Sequence, residues 1–483
     1  MKLFAKFASG PLAFLLLYML PLEGLEPKAQ LVMAVFGWVI LWWMTQPVPW
    51  AVTSFLPLLL FPFLGVMNSG STARLYGQNI FFFVWGTSLM GYAMQRHGLA
   101  KRFALWFLSF RWLNGHTHRL VFGFMMASGL ISAFISDNAV VAIMIPMGMA
   151  LVAYIRNLAG VSGSGKSQFG ALMALGTLYG TQAGGKATIA GLPHNALAVA
   201  LLEETTGRTL GWFNWMLAGV PIFLVTLTVY FFILRFFLPP EITVIPGGEE
   251  LFRREREKLG PMTPGERGTL FIFLTMVLLF TLPTLVGLTL GSAHPLTQWT
   301  NSVLSIWAVP VVVLLLLFSV PVNWRKNEFV LNWREAVQHS PWDILFLVTA
   351  AVAIAGTLVD LGLVKFIGGW ISGLGMGPYG MPFFSAYLVA FGTNFFSGAA
   401  ATSFFGSILI PAAQQVGFNP ASMAMLIANV AVGLMLPWAG AAAGTAFASG
   451  QIEMKNMIRV GVVATLIFPF LVAAIHILIA PIL

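Results

Sequence analysis

Apolar stretches long enough to cross a bilayer recur along the chain, separated by short polar segments. They fall near residues 11–21, 29–46, 50–67 and 79–95, and again near 169–202, 212–236, 268–290, 304–320 and 344–372. Two more follow: a tenth span, broken at "LPWAGAAAGT", ends at Lys455 and Arg459, and an eleventh finishes the chain. Two further stretches, 121–156 and 380–415, are too long for one crossing and are interrupted by "ISDNAV" and "SGAAATS". The pattern predicts an all-α polytopic membrane protein with about 11 transmembrane helices and two re-entrant hairpins.

Charge sets the sides. With Lys2 and Lys6 in the cytoplasm, the fourth span returns to a cluster of Arg96, Lys101, Arg102, Arg111 and Arg119, as the positive-inside rule asks. Arg156 and Lys166 follow the 121–156 stretch and belong on the same side, so this stretch turns back as a hairpin with "SDN" at its tip. The uncharged "QQVGFNP" after 380–415 places the second hairpin on the outer side. The expected organisation is an N-terminal helix and loop over 1–28, a first repeat over 29–238, a basic cytoplasmic linker over 239–267 and a second repeat over 268–483. The repeats have opposite orientation: "GLAK" at 98–101 and "GLVK" at 362–365 each precede a hairpin and then a glycine-broken helix. An inverted repeat with broken helices, its site near the midplane, predicts a secondary transporter working by alternating access.

Composition narrows the class further. Hydrophobic residues make up 58% of the 483 positions and charged ones 8%, against roughly 25% charged in a soluble domain. Without cysteine, disulfides and thiolate chemistry are excluded. The +9 charge sits in short loops, which argues against nucleic-acid binding. "GVSGSGKS" at 160–167 matches the spacing of a phosphate loop, but no strand is expected before it, so nucleotide binding is not expected. No enzyme motif stands out, and no cofactor is expected apart from Na⁺.

"FISDNAVVAIMIPM", "GTQAGGKATIAGLPHNALAV" and "VLNWREAVQHSPWDILFLVTAAVAIAGTL" resemble the hairpin signature, the glycine-rich break and the second-half entry of the divalent anion/sodium symporter family, within the ion transporter superfamily. The resemblance implies scaffold and transport domains, a homodimer in the inner membrane, and a small anion (a di- or tricarboxylate, or one like sulfate) held where tips and breaks meet. It implies a substrate site from Ser136, Asp137, Asn138, Lys186, Thr188, Asn394, Ser397, Gly398, Thr402, Ser403 and Thr445, and a Na⁺ site from Ser136, Asp137 and Gly184. At the second tip, Ser397 and the 401–403 stretch compete as the counterpart of the family serine.

Two departures stand out. Asp137 replaces the family's asparagine, and Lys186 enters the first break, where the family has small or apolar residues. We expect these two to form an ion pair that weakens Na⁺ coupling or replaces it with H⁺ coupling or exchange; the alternative is that Asp137 simply binds Na⁺ and Lys186 snorkels to the interface. His194, beside the break, reads as structural. The alternative within the superfamily is a Na⁺/H⁺-type antiporter using Asp137 and Asn138. The N-terminus is expected in the cytoplasm and the C-terminus outside.

Overall fold

A computed structural model describes residues 2–482, apart from 23, 114, 159, 161–164, 245–247, 364–365, 367–374 and 396. Among the described residues the strands are Pro321–Asn323 and Glu328–Phe329, an antiparallel pair; nearly everything else with regular structure is helical. Among the described residues, six helices are long and apolar enough to span a membrane: Pro27–Thr45, Asp137–Leu158, Trp212–Phe237, Pro264–Leu290, Trp342–Asp360 and Met454–Ile479. Pro295–Val303 and Ala308–Ser319, bent by 64°, add a further candidate crossing. Phe271, Leu274 and Leu278 on Pro264–Leu290 are exposed, an apolar face suited to hydrocarbon. The chain is an all-α polytopic membrane protein.

Local chemistry sets the helix ends. Pro264–Leu290 starts with a capping box between Thr263 and Glu266, and Pro264 takes the first turn, where a missing N–H costs nothing. Arg102 binds both carboxylate oxygens of Glu266, at 2.7 and 3.0 Å, and its NH1 donates to the Gly260 carbonyl at 2.9 Å. This ties the end of the basic linker to the Leu99–Leu108 helix.

The chain doubles back twice. Thr117–Ser132 ends and Asp137–Leu158 begins after a four-residue break, 133–136. A Cβ on Gly148 would lie 3.4 Å from the Phe124 ring, so the two arms run side by side. At 1.5 Å per residue, a straight continuation would hold these residues more than ~30 Å apart. In the second half, Gly377–Gly392 and Gly398–Gln415 pack on each other and both rest against Pro420–Val430.

Two helices are broken. Gln168–Gly184 stops at "GGKATIAGL" and resumes as Pro193–Thr206; Pro420–Val430 stops and resumes as Ala441–Phe447. Gly176, Gly180 and Gly184 recur every fourth residue, forming a stripe without side chains along one face. Thr117–Ser132 presses its backbone into that stripe: a Cβ on Gly180 would stand 2.5 Å from Met125 Cα, and one on Gly184 would overlap the Gly129 carbonyl. Such close approach is the usual use of small residues between membrane helices. It runs the hairpin arm alongside the helix up to its break.

Candidate functional site

Each tip rests on a break. Thr188 Oγ1 in the first break donates to the Ala133 carbonyl in the first tip. Asn195 Nδ2 holds the break open, donating to the Gly185 and Thr188 carbonyls, each at 2.8 Å. In the second half, Asn394 Oδ1 accepts the backbone N–H of Leu434 (3.1 Å) and Met435 (2.8 Å). The breaks also touch: Tyr179 Oη donates to the Leu434 carbonyl at 3.0 Å and Gln182 Nε2 to the Gly433 carbonyl at 3.3 Å.

A cavity of about 140 Å³ lies where these parts converge. It is lined by Asp137 and Asn138 of the first tip, Gln182, Pro193 and His194 around the first break, and Ser397 and Gly398 of the second tip. Small apolar residues of the second break, among them Ala431, Gly433 and Ala441, close it. It is smaller than the roughly 300–1,000 Å³ of sites for drug-sized ligands. The first two residues of three long helices, Asp137–Leu158, Pro193–Thr206 and Gly398–Gln415, line this one space, as do Ala441 and Ala442 at the start of the short helix Ala441–Phe447. Each helix N-terminus carries about +0.5 of an elementary charge, so the three together favour an anion.

Asp137 modifies that field. Its Oδ1 accepts the Asn138 N–H at 2.8 Å, so a carboxylate already sits on the first N-terminus. Ser397 caps the second tip instead, its Oγ accepting the Ala400 N–H at 3.3 Å. Gly398 is required there: a Cβ would come within 2.8 Å of His194 Cε1.

The other expected site residues take varied places. Ser136 is half-buried beside Asp137, its carbonyl accepting from Ala139 and Val140. Gly184 packs on Gly129. The second helix starts at Gly398, which makes Ser397 the tip and puts Thr402 and Ser403 within the helix. Thr402 is buried with no hydrogen-bond partner for Oγ1, and Ser403 bonds back to Ala399. Thr445 is exposed and bonds to Ala441. Asn394 is a clamp, spent on the second break. The 160–167 loop, whose residues 161–164 lie outside those described, follows a helix, Asp137–Leu158.

One expectation fails. Lys186 does not pair with Asp137 and does not line the cavity. Its side chain is wholly buried and leaves the break toward Trp212–Phe237 and Met454–Ile479. There Nζ stands 3.4 Å from Tyr230 Oη and 5.4 and 5.0 Å from the Tyr230 and Phe468 ring centroids. The backbone sets this direction: Trp215 Nε1 holds the Lys186 carbonyl at 3.0 Å, while a Cβ on Gly219 would touch that carbonyl at 2.5 Å. The ammonium rests on aromatic faces instead of a carboxylate.

Two lining residues lie within the glycine-rich break motif but are not among the site residues expected from it. Gln182 is one polar side chain in an apolar helix, and His194 follows the proline that restarts the helix. Both are more than nine-tenths buried, and Gln182 Oε1 and His194 Nε2 have no hydrogen-bond partner.

The profile of the sodium:sulfate symporter transmembrane region matches residues 2–483. The sodium-dependent dicarboxylate transporter SdcS of Staphylococcus saprophyticus is 29% identical, covering 98% of this chain and 91% of its own. SdcS of Staphylococcus aureus is 28% identical, covering 98% and 90%. The fold resembles the Alcanivorax borkumensis YdaH transporter, with a TM-score of 0.58 at 14% identity over 93% of this chain and 98% of that one. It also resembles Neisseria gonorrhoeae MtrF, of a class of antimetabolite efflux pumps, with a TM-score of 0.57 at 12% identity over 95% and 96%. These relatives are transporters, not enzymes, and they favour an anion transporter over the cation antiporter considered above.

Proposed function

The chain belongs to the sodium:sulfate symporter family, and from that premise we propose that it carries a small dicarboxylate by alternating access, coupled to a cation that binds at Asp137. The observation that carries this reading is the meeting of three helix N-termini in one cavity of about 140 Å³. Asn138 and Ser397, on opposite tips, supply polar contacts to the anion, and the N-termini of Pro193–Thr206 and Gly398–Gln415 supply positive potential.

Asp137 repels a dianion unless its charge is balanced. With Lys186 turned away, a bound Na⁺ or H⁺ is the balancing charge, and cation and anion load together. Ser136 and the break at Gly184 are proposed as neighbours of that cation, a placing supported by the Thr188–Ala133 bond between tip and break. The sodium dependence of the SdcS relatives favours Na⁺. The two hairpins are proposed to enter a plasma membrane from opposite faces in an inverted repeat, with the N-terminus in the cytoplasm. A homodimer is proposed as the working unit.

Uptake of labelled succinate into proteoliposomes, driven by an inward Na⁺ gradient or by a proton gradient, tests the coupling. We expect cation-driven accumulation in the wild type, with no gradient able to drive accumulation in Asp137→Ala. Accumulation that needs neither cation would refute the coupling site.

A further inference from the structure

We propose that the ammonium of a 2-aminodicarboxylate takes the place of the coupling cation at Asp137, so that the cavity accepts this class of substrate without Na⁺. The inference rests on the dicarboxylate reading above and names a second substrate class for the same site.

Charge accounting leads there. Asp137 lines the cavity, while Lys186 turns away toward Tyr230 and Phe468. No lysine or arginine lies among the described residues of the lining. The Asp137 carboxylate takes hydrogen bonds from backbone N–H groups, its own and that of Asn138. Among the described residues no side-chain cation pairs with it. Ala431, Gly433 and Ala441 of the second break bring no side-chain donor that could balance it instead.

A carboxylate held inside a membrane bundle without a counter-charge is costly, and an ammonium answers it with strong charge-assisted hydrogen bonds. Succinate carries two negative charges and needs a cation to enter with it; with one Na⁺ the load has a net charge of minus one. 2-Aminosuccinate has the same carbon skeleton and brings its own ammonium, so it carries minus one unaided. Both loads therefore leave the same net charge beside Asp137. 2-Hydroxysuccinate is nearly the same size and shape as the amino compound, but its hydroxyl is uncharged and it needs the cation as succinate does. Charge, not size, separates the two. The N-termini of Pro193–Thr206 and Gly398–Gln415 remain to favour the carboxylates in either case.

Calorimetric titration of the purified full-length protein with the three compounds is the test, in choline buffer at mildly alkaline pH, which withholds both Na⁺ and H⁺, and again in Na⁺. In choline we expect 2-aminosuccinate to bind wild type at least about tenfold more tightly than 2-hydroxysuccinate. Adding Na⁺ should tighten succinate and 2-hydroxysuccinate and leave 2-aminosuccinate within about twofold. Asp137→Asn keeps the side-chain size without the charge and should bring the choline ratio down to about one. If that variant fails to fold, the wild-type ratio decides alone. Equal binding of the amino and hydroxy compounds in choline, a Na⁺ requirement for the amino compound, or a ratio retained in folded Asp137→Asn overturns the inference, while succinate binding in Na⁺ leaves the dicarboxylate reading standing. Binding of none of the three to wild type in either buffer overturns that reading, and the inference with it.

Discussion

The side-chain oxygen of Asn394 accepts the backbone N–H of Met435 at 2.8 Å, and that of Leu434 at 3.1 Å, so one asparagine ties the second hairpin tip to the second helix break. The same side chain donates from Nδ2 to the Ala390 carbonyl at 2.8 Å. A broken helix exposes N–H groups inside an apolar bundle, and here a tip residue satisfies two of them.

Replacing Asn394 by alanine leaves the buried Leu434 N–H and the half-buried Met435 N–H without this partner. Each such group costs about 1–3 kcal/mol. We expect a clear fall in the midpoint of thermal unfolding in detergent. An unchanged midpoint would mean that the second break is held by something else.

Gly184 offers a steric test. A methyl group there would meet the Gly129 carbonyl of the first hairpin, which is backbone and cannot rotate away. Gly184→Ala is expected to destabilise by about 1–3 kcal/mol or more, the usual cost of overpacking. Gly165→Ala, at a position with open space around it, is the control and should change little.

Lys186 sits outside the cavity, so its charge is dispensable for substrate. Lys186→Met keeps most of the side-chain volume, removes a buried ammonium with one long hydrogen bond, and is expected to raise the unfolding midpoint. Uptake should stay within about twofold of wild type. A folded Lys186→Met protein with no uptake would return the lysine to the transport cycle.

Acid should loosen the junction between linker and first broken helix. Glu241 accepts the N–H groups of Gln168 (2.6 Å) and Phe169 (2.9 Å) at a helix start. Burial pushes its pKa up, but its own backbone N–H, those of Phe169 and Gln168, and the Arg156 charge outweigh this and hold the carboxyl below its ordinary 4.5. A lowered folded value means the contribution to stability is full above about pH 4.5 and is lost as pH falls through the folded value. Unfolding midpoints measured from pH 7 to pH 3.5 should therefore fall less steeply in Glu241→Gln than in wild type; equal slopes would contradict the role.

Much of this was legible in the sequence. Hydrophobic runs and the scarcity of charge are dictated by the bilayer and therefore read directly from composition. The altered hairpin signature around Asp137 and the glycine-rich break gave the family, because broken helices need glycine and proline at fixed places. Side-chain direction within a break was not legible. Lys186 and Asp137 sit on neighbouring elements, but an unwound backbone has no period, so nothing in the spacing says that the lysine turns to Tyr230. Gln182 was hidden for a different reason: its role depends on Gly433, 251 residues away.

Counterflow in proteoliposomes tests most directly whether the cavity between the tips is the transport site. Vesicles loaded with unlabelled succinate should take up labelled succinate faster than empty ones, with saturation. Asn138→Ala and Ser397→Ala, on opposite tips, should each lose most of that stimulated flux. Flux that neither saturates nor responds to internal succinate, or that survives in both variants, would contradict a single anion site closed by the two hairpins.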